Sequence, residues 1–479
     1  MIQNKIMDDT LEKTTVIGKK KKLKLTFAGG VTTVTGANFI LETIPENGEE
    51  VIKIMIDCGL EQGDPTAYSH NHSMFAYDPS TINYLLVTHA HMDHLGLIPK
   101  LVKAGFKGKI FSTPETRALA PIMFEDAVKI LRGEAERANT EPLYEAPEAE
   151  KALTMWHDIP YHTNTSLHGG FNVYAKDAGH ILGSAMYEIT YNGTKIVFTG
   201  DLGNSPTPLL KDTEDITDAT YMIMESVYGD KNHESHEERS SKFEDVIEET
   251  YSKKGALVIP SFSLEKTQVI LYELNKMVDM SRIPSLPVYL DSPLAIKITE
   301  VYKKMTENFN TKAREEIRKG DDLFNFNRLT FVTTGEESKK LIDVPNPKII
   351  IAGSGMSNGG RVLHHEVNYL PDPKSTLLLI GYQAVGTLGR HIQNGEKTVR
   401  IFGNQIPVRA RIATIDGYSS HKDSEHLMDF VSRSQETLKK VFPVMGEPKA
   451  SLFLSQRIQD YLGIDAHHPE EGESVILDF

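Results

Sequence analysis

A histidine-rich segment that directly follows a short apolar segment constrains this chain more than any other feature. Residues 84–87 have the composition of a buried strand, and next come Thr88-His89-Ala90-His91-Met92-Asp93-His94. A solvated polar turn is a poor explanation for three imidazoles and a carboxylate at the end of a buried strand. Imidazole and carboxylate are the usual zinc ligands in sites without thiolate, and Cys58 is the only cysteine. The spacing predicts that His89 and His91 face one ion while Asp93 and His94 face another.

Two later segments carry the same kinds of side chain, each at the end of a predicted strand. Gly179-His180 supplies an imidazole, and Gly200-Asp201 supplies a carboxylate that can bridge two ions. Each pair alone would be a turn in most sequences. Because both pairs follow the histidine-rich segment and each stands at a strand end, together they indicate one site. Asp57 closes an earlier strand and is predicted to orient a histidine. The predicted metal ligands are His89, His91, Asp93, His94, His180 and Asp201.

Short strands alternate with helices along the chain, which indicates an α/β fold built in layers. Within the second half, helices predicted at 236–253, 264–279 and 295–318 alternate with short apolar strands. This alternation predicts a parallel sheet with helices on both faces, as a second domain. A length of 479 residues agrees with two to four domains.

Composition narrows the setting in which such a fold would work. No apolar run approaches the roughly 20 residues that span a bilayer, and the N-terminus has no secretory signal pattern. A cytoplasmic protein without membrane attachment is therefore expected. The formal net charge of −14 argues mildly against a nonspecific coat of nucleic acid, although a local basic groove stays compatible with it. The oligomeric state stays open, a homodimer included.

The histidine-rich segment, with Asp57, His180 and Asp201, resembles the signature of the metallo-β-lactamase superfamily. This resemblance implies an αβ/βα sandwich that holds its metal ions at one edge. It does not identify the substrate, because lactams, thioesters, lactones and phosphodiesters are all cleaved on this fold.

Motifs in the second half resemble those of the β-CASP family. Glu225 stands where the family has the acid of motif A, and His421 where it has the histidine of motif B. The resemblance to bacterial and archaeal relatives of the nuclease subunit of the cleavage and polyadenylation specificity factor covers residues 22–479. It implies a β-CASP cap inserted into the metallo-β-lactamase domain. The predicted segments are an N-terminal extension at 1–21, the first part of the metallo-β-lactamase domain at 22–229, the cap at 230–417 and the completion of the first domain at 418–479.

The resemblance implies a zinc-dependent ribonuclease acting on single-stranded RNA, and the residues agree with that chemistry. A phosphodiester needs a nucleophile, charge neutralisation and a proton for the leaving oxygen, and metal-activated hydroxide supplies the first two. An imidazole has an unperturbed pKa near 6.5, which suits His421 as the general acid. Glu225 is predicted to orient that ring, and Asp93 completes the predicted catalytic set.

Glycine-rich turns of the predicted cap supply candidate substrate contacts. Such turns let backbone N–H groups approach phosphate oxygens, and basic side chains near them can pair with phosphate. A surface ion pair explains each basic side chain about equally well. The predicted substrate contacts are Ser354, Gly355, Arg361, Arg390 and Lys266.

One position departs from the family's pattern. The third motif, expected on the cap side, has a histidine before Gly-Glu, and here Met445 precedes Gly446-Glu447. A thioether is a soft ligand that suits zinc poorly in a site of nitrogen and oxygen donors. One tight zinc site and a weaker second site are therefore expected. Two alternatives are that Glu447 turns inward as a ligand, or that Met445 only packs against the sandwich.

Three other functions stay open. A DNA nuclease is one, since β-CASP DNA nucleases also lack the third-motif histidine. A catalytically weak scaffold in an RNA-processing complex is another, although the intact ligand set argues against it. A lactonase or lactamase is the least favoured, because a small substrate would not need a cap as large as residues 230–417.

Overall fold

Residues 22–45, 48–63 and 66–479 are described by the computed structural model, so the extension predicted at 1–21 lies outside the described residues. Along the first strand, Leu23–Gly29, every second residue is buried. Successive side chains of a strand point to opposite faces of its sheet. The sequence of this strand therefore requires a sheet with one face in a core and the other face outward.

Short strands and helices alternate through most of the chain. The strands are β1 Leu23–Gly29, β2 Asn38–Thr43, β3 Lys53–Ile56, β4 Tyr84–Leu86, β5 Lys109–Ser112, β6 Trp156–Asp158, β7 Asn164–Leu167, β8 Phe171–Asp177, β9 Ala185–Tyr191, β10 Thr194–Phe198, β11 Tyr221–Glu225, β12 Ala256–Pro260, β13 Val288–Asp291, β14 Leu329–Phe331, β15 Lys348–Ala352, β16 Thr376–Leu379, β17 Thr398–Ile401, β18 Asn404–Pro407, β19 Arg411–Thr414, β20 Lys440–Val444, β21 Asp465–Ala466 and β22 Ser474–Leu477. The helices are α1 Ala67–His72, α2 Met92–Leu95, α3 Ile98–Lys103, α4 Pro114–Ala138, α5 Ala146–Thr154, α6 His236–Ser252, α7 Lys266–Asp279, α8 Pro293–Lys304, α9 Thr311–Arg318, α10 Gly335–Lys340, α11 Val362–Tyr369, α12 Leu388–Gln393, α13 Ser424–Ser432 and α14 Pro448–Arg457.

Two seven-stranded sheets pack face to face. The first has the order β22-β1-β2-β3-β4-β5-β6, and the second has the order β21-β20-β11-β10-β9-β8-β7. An apolar core lies between them, with Phe27 and Phe39 from the first sheet and Val173 and Phe198 from the second. Burying one such side chain fully contributes about 1.5–3 kcal/mol, so apolar burial is the main force that holds the two sheets together.

Helices cover the outer faces of both sheets. Leu101 of α3 and Phe124 of α4 pack in one apolar cluster on the first sheet. Phe430 of α13 and Leu454 of α14 pack in another cluster on the second sheet. This order of helix, sheet, sheet and helix confirms the predicted αβ/βα sandwich. Over the described ranges, no helix combines the length and the apolar character needed to cross a membrane.

A second domain is inserted between β11 and β20. Its six-stranded sheet has the order β14-β13-β15-β12-β16-β19, and all neighbouring strands are parallel. The chain then returns to the sandwich, where β20 pairs with β11. A parallel sheet with alternating helices confirms the predicted layout of this domain, which we call the cap. The residue limits predicted for the four segments stay predictions.

The helix predicted at 295–318 is wrong as a single element. The chain forms α8 and α9, and between them lie a short 3₁₀ turn, Thr306–Asn308, and the fully buried Phe309. The amide group of Asn308 donates to Glu115 of α4 at 2.9 Å. Asn310 accepts the backbone N–H of Ala313 and so caps α9. Contacts with the sandwich therefore override the helical pattern at this point.

Candidate active site

An aspartate on the neighbouring strand fixes the histidine-rich segment. Asp57 follows β3, and its carboxylate accepts the backbone N–H of Thr88 at 2.7 Å and the hydroxyl of Thr88 at 2.8 Å. The same carboxylate lies 2.7 Å from Nδ1 of His94. Because β3 and β4 are parallel neighbours, their carboxyl ends bring these groups together. Asp57 thus orients a histidine from behind, as the sequence predicts.

Three imidazoles and one carboxylate converge at this edge of the sandwich. Nδ1 of His91 lies 3.1 Å from Nε2 of His89 and 3.2 Å from Nε2 of His180. Oδ2 of Asp201 lies 3.5 Å from Nε2 of both His89 and His180. Burial holds the pKa of His89 and of His180 well below the usual value and lowers the pKa of His91 to about 3. The three rings are therefore neutral and offer lone pairs to a cation.

A second group of ligand atoms shares Asp201 with the first. Atoms of Asp93, His94 and Asp201 lie within 4.8 Å of one another, and Oδ1 of Asp201 lies 3.3 Å from Nε2 of His94. Within the described part of the chain, both of these atoms are buried without a hydrogen-bond partner. Buried polar atoms nearly always have a partner. Their isolation, together with a donor set of imidazole nitrogen and carboxylate oxygen, fits a divalent metal ion.

Met445 lies beside this second group. It directly follows β20 in the sandwich, which corrects the expectation that the third motif lies on the cap side. Its side chain is only 3% exposed and packs in the core between the two sheets. It also lines a small cavity together with His94 and Glu225. Of the alternatives drawn from the sequence, the structure shows Met445 packed against the sandwich.

Glu447 is held away from the role of a metal ligand by a cap residue. The hydroxyl of Tyr382 donates to its carboxylate, and this bond joins the cap to the turn that follows Met445. The alternative in which Glu447 turns inward would require this bond to break.

His421 and Glu225 form a pair next to the shared carboxylate. Nδ1 of His421 lies 3.1 Å from both carboxylate oxygens of Glu225 and 3.9 Å from Oδ2 of Asp201. Glu225 also accepts the backbone N–H of Leu202 at 2.5 Å, which fixes its orientation. Burial alone would lower the pKa of His421, but the two carboxylates outweigh burial and raise it above the usual value. The ring is therefore held in place and tends to carry a proton.

A cavity of about 500 Å³ joins these groups to the cap. His91, Asp93, Asp201 and His421 line it from the sandwich. From the cap it is lined by Ser261, Ser263, Lys266, Ser354, Gly355 and Tyr382. The structure thus brings three of the six predicted ligands, the predicted acid and three of the five predicted substrate contacts to one space. The other three ligands, His89, His94 and His180, belong to the two groups that share Asp201.

The other two predicted substrate contacts, Arg361 and Arg390, are bonded to partners within the cap. The guanidinium of Arg361 donates to Asp291 at 2.6 Å and to the carbonyl of Val332 at 3.1 Å. That of Arg390 donates to the carbonyl of Gln383 at 3.2 Å. Neither side chain lines the cavity, and their contact with substrate stays a prediction.

Sequence reasoning missed a network that holds the segment before His421. Lys266 of α7 is buried, and its ammonium donates to the carbonyl oxygen of Tyr418; burial lowers the pKa of Lys266 to about 7. The hydroxyl of Tyr418 donates to Glu273, which pairs with Arg239 of α6 at 3.1 Å. No spacing in the sequence signals this network, because its partners lie in three distant segments. It ties the proposed acid to two cap helices.

Three stretches of the chain match described protein families. Residues 48–227 match the metallo-beta-lactamase superfamily domain, and residues 267–392 match the Beta-Casp domain. Residues 405–469 match the Zn-dependent metallo-hydrolase RNA specificity domain. Together these matches cover the ends of the strands that carry the ligands, much of the cap and the segment with His421.

Known proteins resemble the chain over most of its length. It is 34% identical to Ribonuclease TTHA0252 of Thermus thermophilus, over 84% of this chain and 90% of that protein. It is 31% identical to Transcription termination factor FttA of Methanosarcina mazei, over 96% of this chain and 72% of that protein. A solved structure of a protein of unknown function from Enterococcus faecalis V583 shares the fold, with a TM-score of 0.52 and 12% identity over 95% of this chain and 100% of that chain. The chain therefore belongs to the β-CASP family of the metallo-β-lactamase superfamily.

Proposed function

We propose that this protein is a metal-dependent ribonuclease that hydrolyses phosphodiester bonds of single-stranded RNA. The observation that carries the proposal is one cavity lined by His91, Asp93, Asp201 and His421, so that it reaches both ligand groups and the ring that Glu225 holds. The names of the two relatives, a ribonuclease and a transcription termination factor, support RNA as the substrate. We also propose a cytoplasmic location, which an RNA substrate supports.

In this proposal the two ligand groups have different strengths. His89, His91, His180 and Asp201 hold one zinc ion, while Asp93, His94 and Asp201 hold a second, weaker one. When bound, such ions activate a water as the nucleophile and neutralise charge on the phosphate. Asp93 belongs to the catalytic set through its position at the cavity.

His421 acts as the general acid in the proposed reaction. Its Nδ1 faces Glu225, which leaves Nε2 as the ring nitrogen that can deliver a proton to the leaving oxygen. Glu225 fixes the ring and keeps it protonated. Lys266 and the Ser354-Gly355 turn are the proposed phosphate contacts, because they line the same cavity on its cap side.

The test of this proposal uses purified protein with labelled RNA and DNA strands of the same sequence. We expect cleavage of RNA to 5′-phosphate and 3′-hydroxyl products, its loss with a chelator and its return with zinc. Preferred cleavage of DNA would favour the DNA nuclease instead. Binding of RNA without cleavage under all metal conditions would favour the scaffold, and hydrolysis of a lactone or lactam alone would favour a small-molecule hydrolase.

Replacing Met445 with histidine is expected to strengthen the second metal site. Met445 lines the small cavity that His94 also lines. An imidazole at this position can add the ligand that the thioether does not provide. We expect Met445→His to lower the metal concentration needed for full activity by about 10- to 100-fold, the scale on which supporting residues tune metal affinity. Titration with elemental analysis measures occupancy directly.

The matched control for this substitution is Met445→Leu, which keeps an apolar side chain of similar volume and should leave metal dependence as in the unmodified protein. The expectation is wrong if the unmodified protein already binds two equally tight ions, or if Met445→His changes neither occupancy nor metal dependence.

A further inference from the structure

The cavity continues beyond the ligand groups along one side of α4. Thr113, the residue that caps α4, donates its hydroxyl to the carbonyl of Gly183 at 2.6 Å, close to His180 in the chain. α4 therefore begins beside the loop that carries this ligand. The side chains of α4 that line the cavity, which we call the α4 face, are Met123, Asp126, Ala127, Ile130, Leu131 and Glu134. At a rise of 1.5 Å per residue, this face is about 16 Å long.

The α4 face is apolar and acidic. Leu60, Leu143 and Leu294 extend its apolar surface within the same cavity. Its charged members are the carboxylates of Asp126 and Glu134, and neither forms a hydrogen bond within the described ranges of the chain. Phosphate oxygens require cationic or N–H partners. The lysines near Asp126, Lys129 and Lys297, each pair with Glu125 at 2.7 Å. The side chains of the α4 face itself therefore offer a phosphate backbone no cationic partner.

The cap side of the cavity also carries polar and cationic groups. Lys266 and the Ser354-Gly355 turn belong to the cap and line the same space. A single strand that turns its phosphates toward these groups presents its bases to the sandwich, where α4 lies. Bases pack against a binding groove with little regard to sequence, and a carboxylate accepts a hydrogen bond from the exocyclic amino group of a base such as cytosine. Uracil has no such group.

We propose that the α4 face is a base-contact surface that receives unpaired bases next to the cleaved phosphodiester. Asp126 and Glu134 make it favour bases with an exocyclic amino group over uracil. This inference rests on the proposed function, because an unpaired RNA strand must enter the cavity. The face determines specificity and touches no reacting atom, so its loss changes KM and leaves kcat unchanged.

The apolar part of the inference is tested with Ile130→Ser. Ile130 is 53% exposed, so this change leaves the core intact. We expect KM for single-stranded RNA to rise about 5- to 10-fold, the lower part of what one base contact contributes, with kcat unchanged. The matched control is Ile342→Ser, at a cap residue 49% exposed and outside the cavity, which should keep the KM of the unmodified protein.

Abasic strands provide a second measurement of the same contact. An RNA with abasic positions on both sides of the cleaved bond should raise KM for the unmodified protein. Ile130→Ser should then cause no further rise, because the contact it removes is already absent. Additive losses would mean that Ile130 acts elsewhere and would overturn the apolar part.

The acidic part is tested with Asp126→Ala combined with Glu134→Ala, since alanine preserves the helix. The unmodified protein should show a lower KM for oligocytidylate than for oligouridylate, and the double variant should lose this difference by raising the KM for oligocytidylate alone. Glu136→Ala, on the exposed side of α4, is the matched control. Equal KM values for the two strands in the unmodified protein would overturn this part.

Failure of this inference differs from failure of the proposed function. If the unmodified protein cleaves RNA with metal but Ile130→Ser and the double variant behave like it on every strand, only the role of the α4 face is wrong. If the unmodified protein cleaves no RNA under any metal condition, the proposed function itself is wrong, and the inference falls with it.

Discussion

Replacing Asp201 with asparagine is expected to abolish RNA cleavage and to release metal. One of its oxygens faces His89 and His180 at 3.5 Å, and the other faces His94 at 3.3 Å. Both ligand groups therefore lose their shared negative charge at once. We expect activity to fall beyond the roughly 10²- to 10⁴-fold that a general acid contributes, to the limit of detection. Elemental analysis should find less than one metal ion per chain.

The matched control is Asp218→Asn, the same chemical change at a side chain that is 58% exposed and pairs with Lys195 at the surface. It should keep the metal content and activity of the unmodified protein, because an exposed ion pair contributes only about 0–1 kcal/mol. Thermal unfolding should show that Asp201→Asn remains folded. Full activity in Asp201→Asn would remove the shared carboxylate from the proposed mechanism.

The ligand groups could be predicted from sequence because each ligand follows a recognisable strand. β4 ends just before Thr88, β8 just before His180 and β10 just before Asp201. Side chains at the carboxyl ends of neighbouring strands meet at one edge of a sheet, and the two sheets of the sandwich face each other there. The local sequence pattern therefore indicates the same ligand positions that the architecture of the fold brings together.

The two predicted arginine contacts show that the direction of a long side chain depends on distant partners, which the sequence does not reveal. Arg361 stands in a glycine-rich segment, but its guanidinium is held by Asp291, which is 70 residues earlier in the chain. The break between α8 and α9 has the same kind of cause, since Asn308 bonds to Glu115 of another domain. The local sequence pattern predicts the kind of secondary-structure element and the type of residue. It does not predict these contacts between residues far apart in the chain.

The α4 face also lies beyond what the sequence predicts. One set of α4 side chains packs on the sandwich while another lines the cavity. Met123 and Ala127 are buried and at the same time line the cavity. Only the position of the cap over the sandwich separates a core face from a cavity face, so apolar spacing alone cannot distinguish them.

Replacing His421 with alanine is expected to keep the fold and the metal while removing most RNA cleavage. Nδ1 of the ring lies closer to Glu225, at 3.1 Å, than to Asp201, at 3.9 Å, and the ring lines the cavity where the leaving oxygen would lie. We expect a loss of about 10²- to 10⁴-fold in kcat, the usual contribution of a general acid. Glu225→Gln should act in the same direction, because an amide no longer raises the pKa of His421.

The matched control is His168→Ala, at a histidine 72% exposed that pairs with Glu50 across 3.4 Å, which should leave kcat unchanged. A substrate whose leaving oxygen needs no protonation, such as a p-nitrophenyl phosphodiester, separates the two roles open to His421. A general acid predicts that His421→Ala cleaves this substrate nearly as fast as the unmodified protein does. Ligand atoms of His421, Asp201 and Glu225 lie within 4.8 Å of one another and could hold a metal ion together. If both substrates slow equally and metal content falls, His421 is a metal ligand in this group.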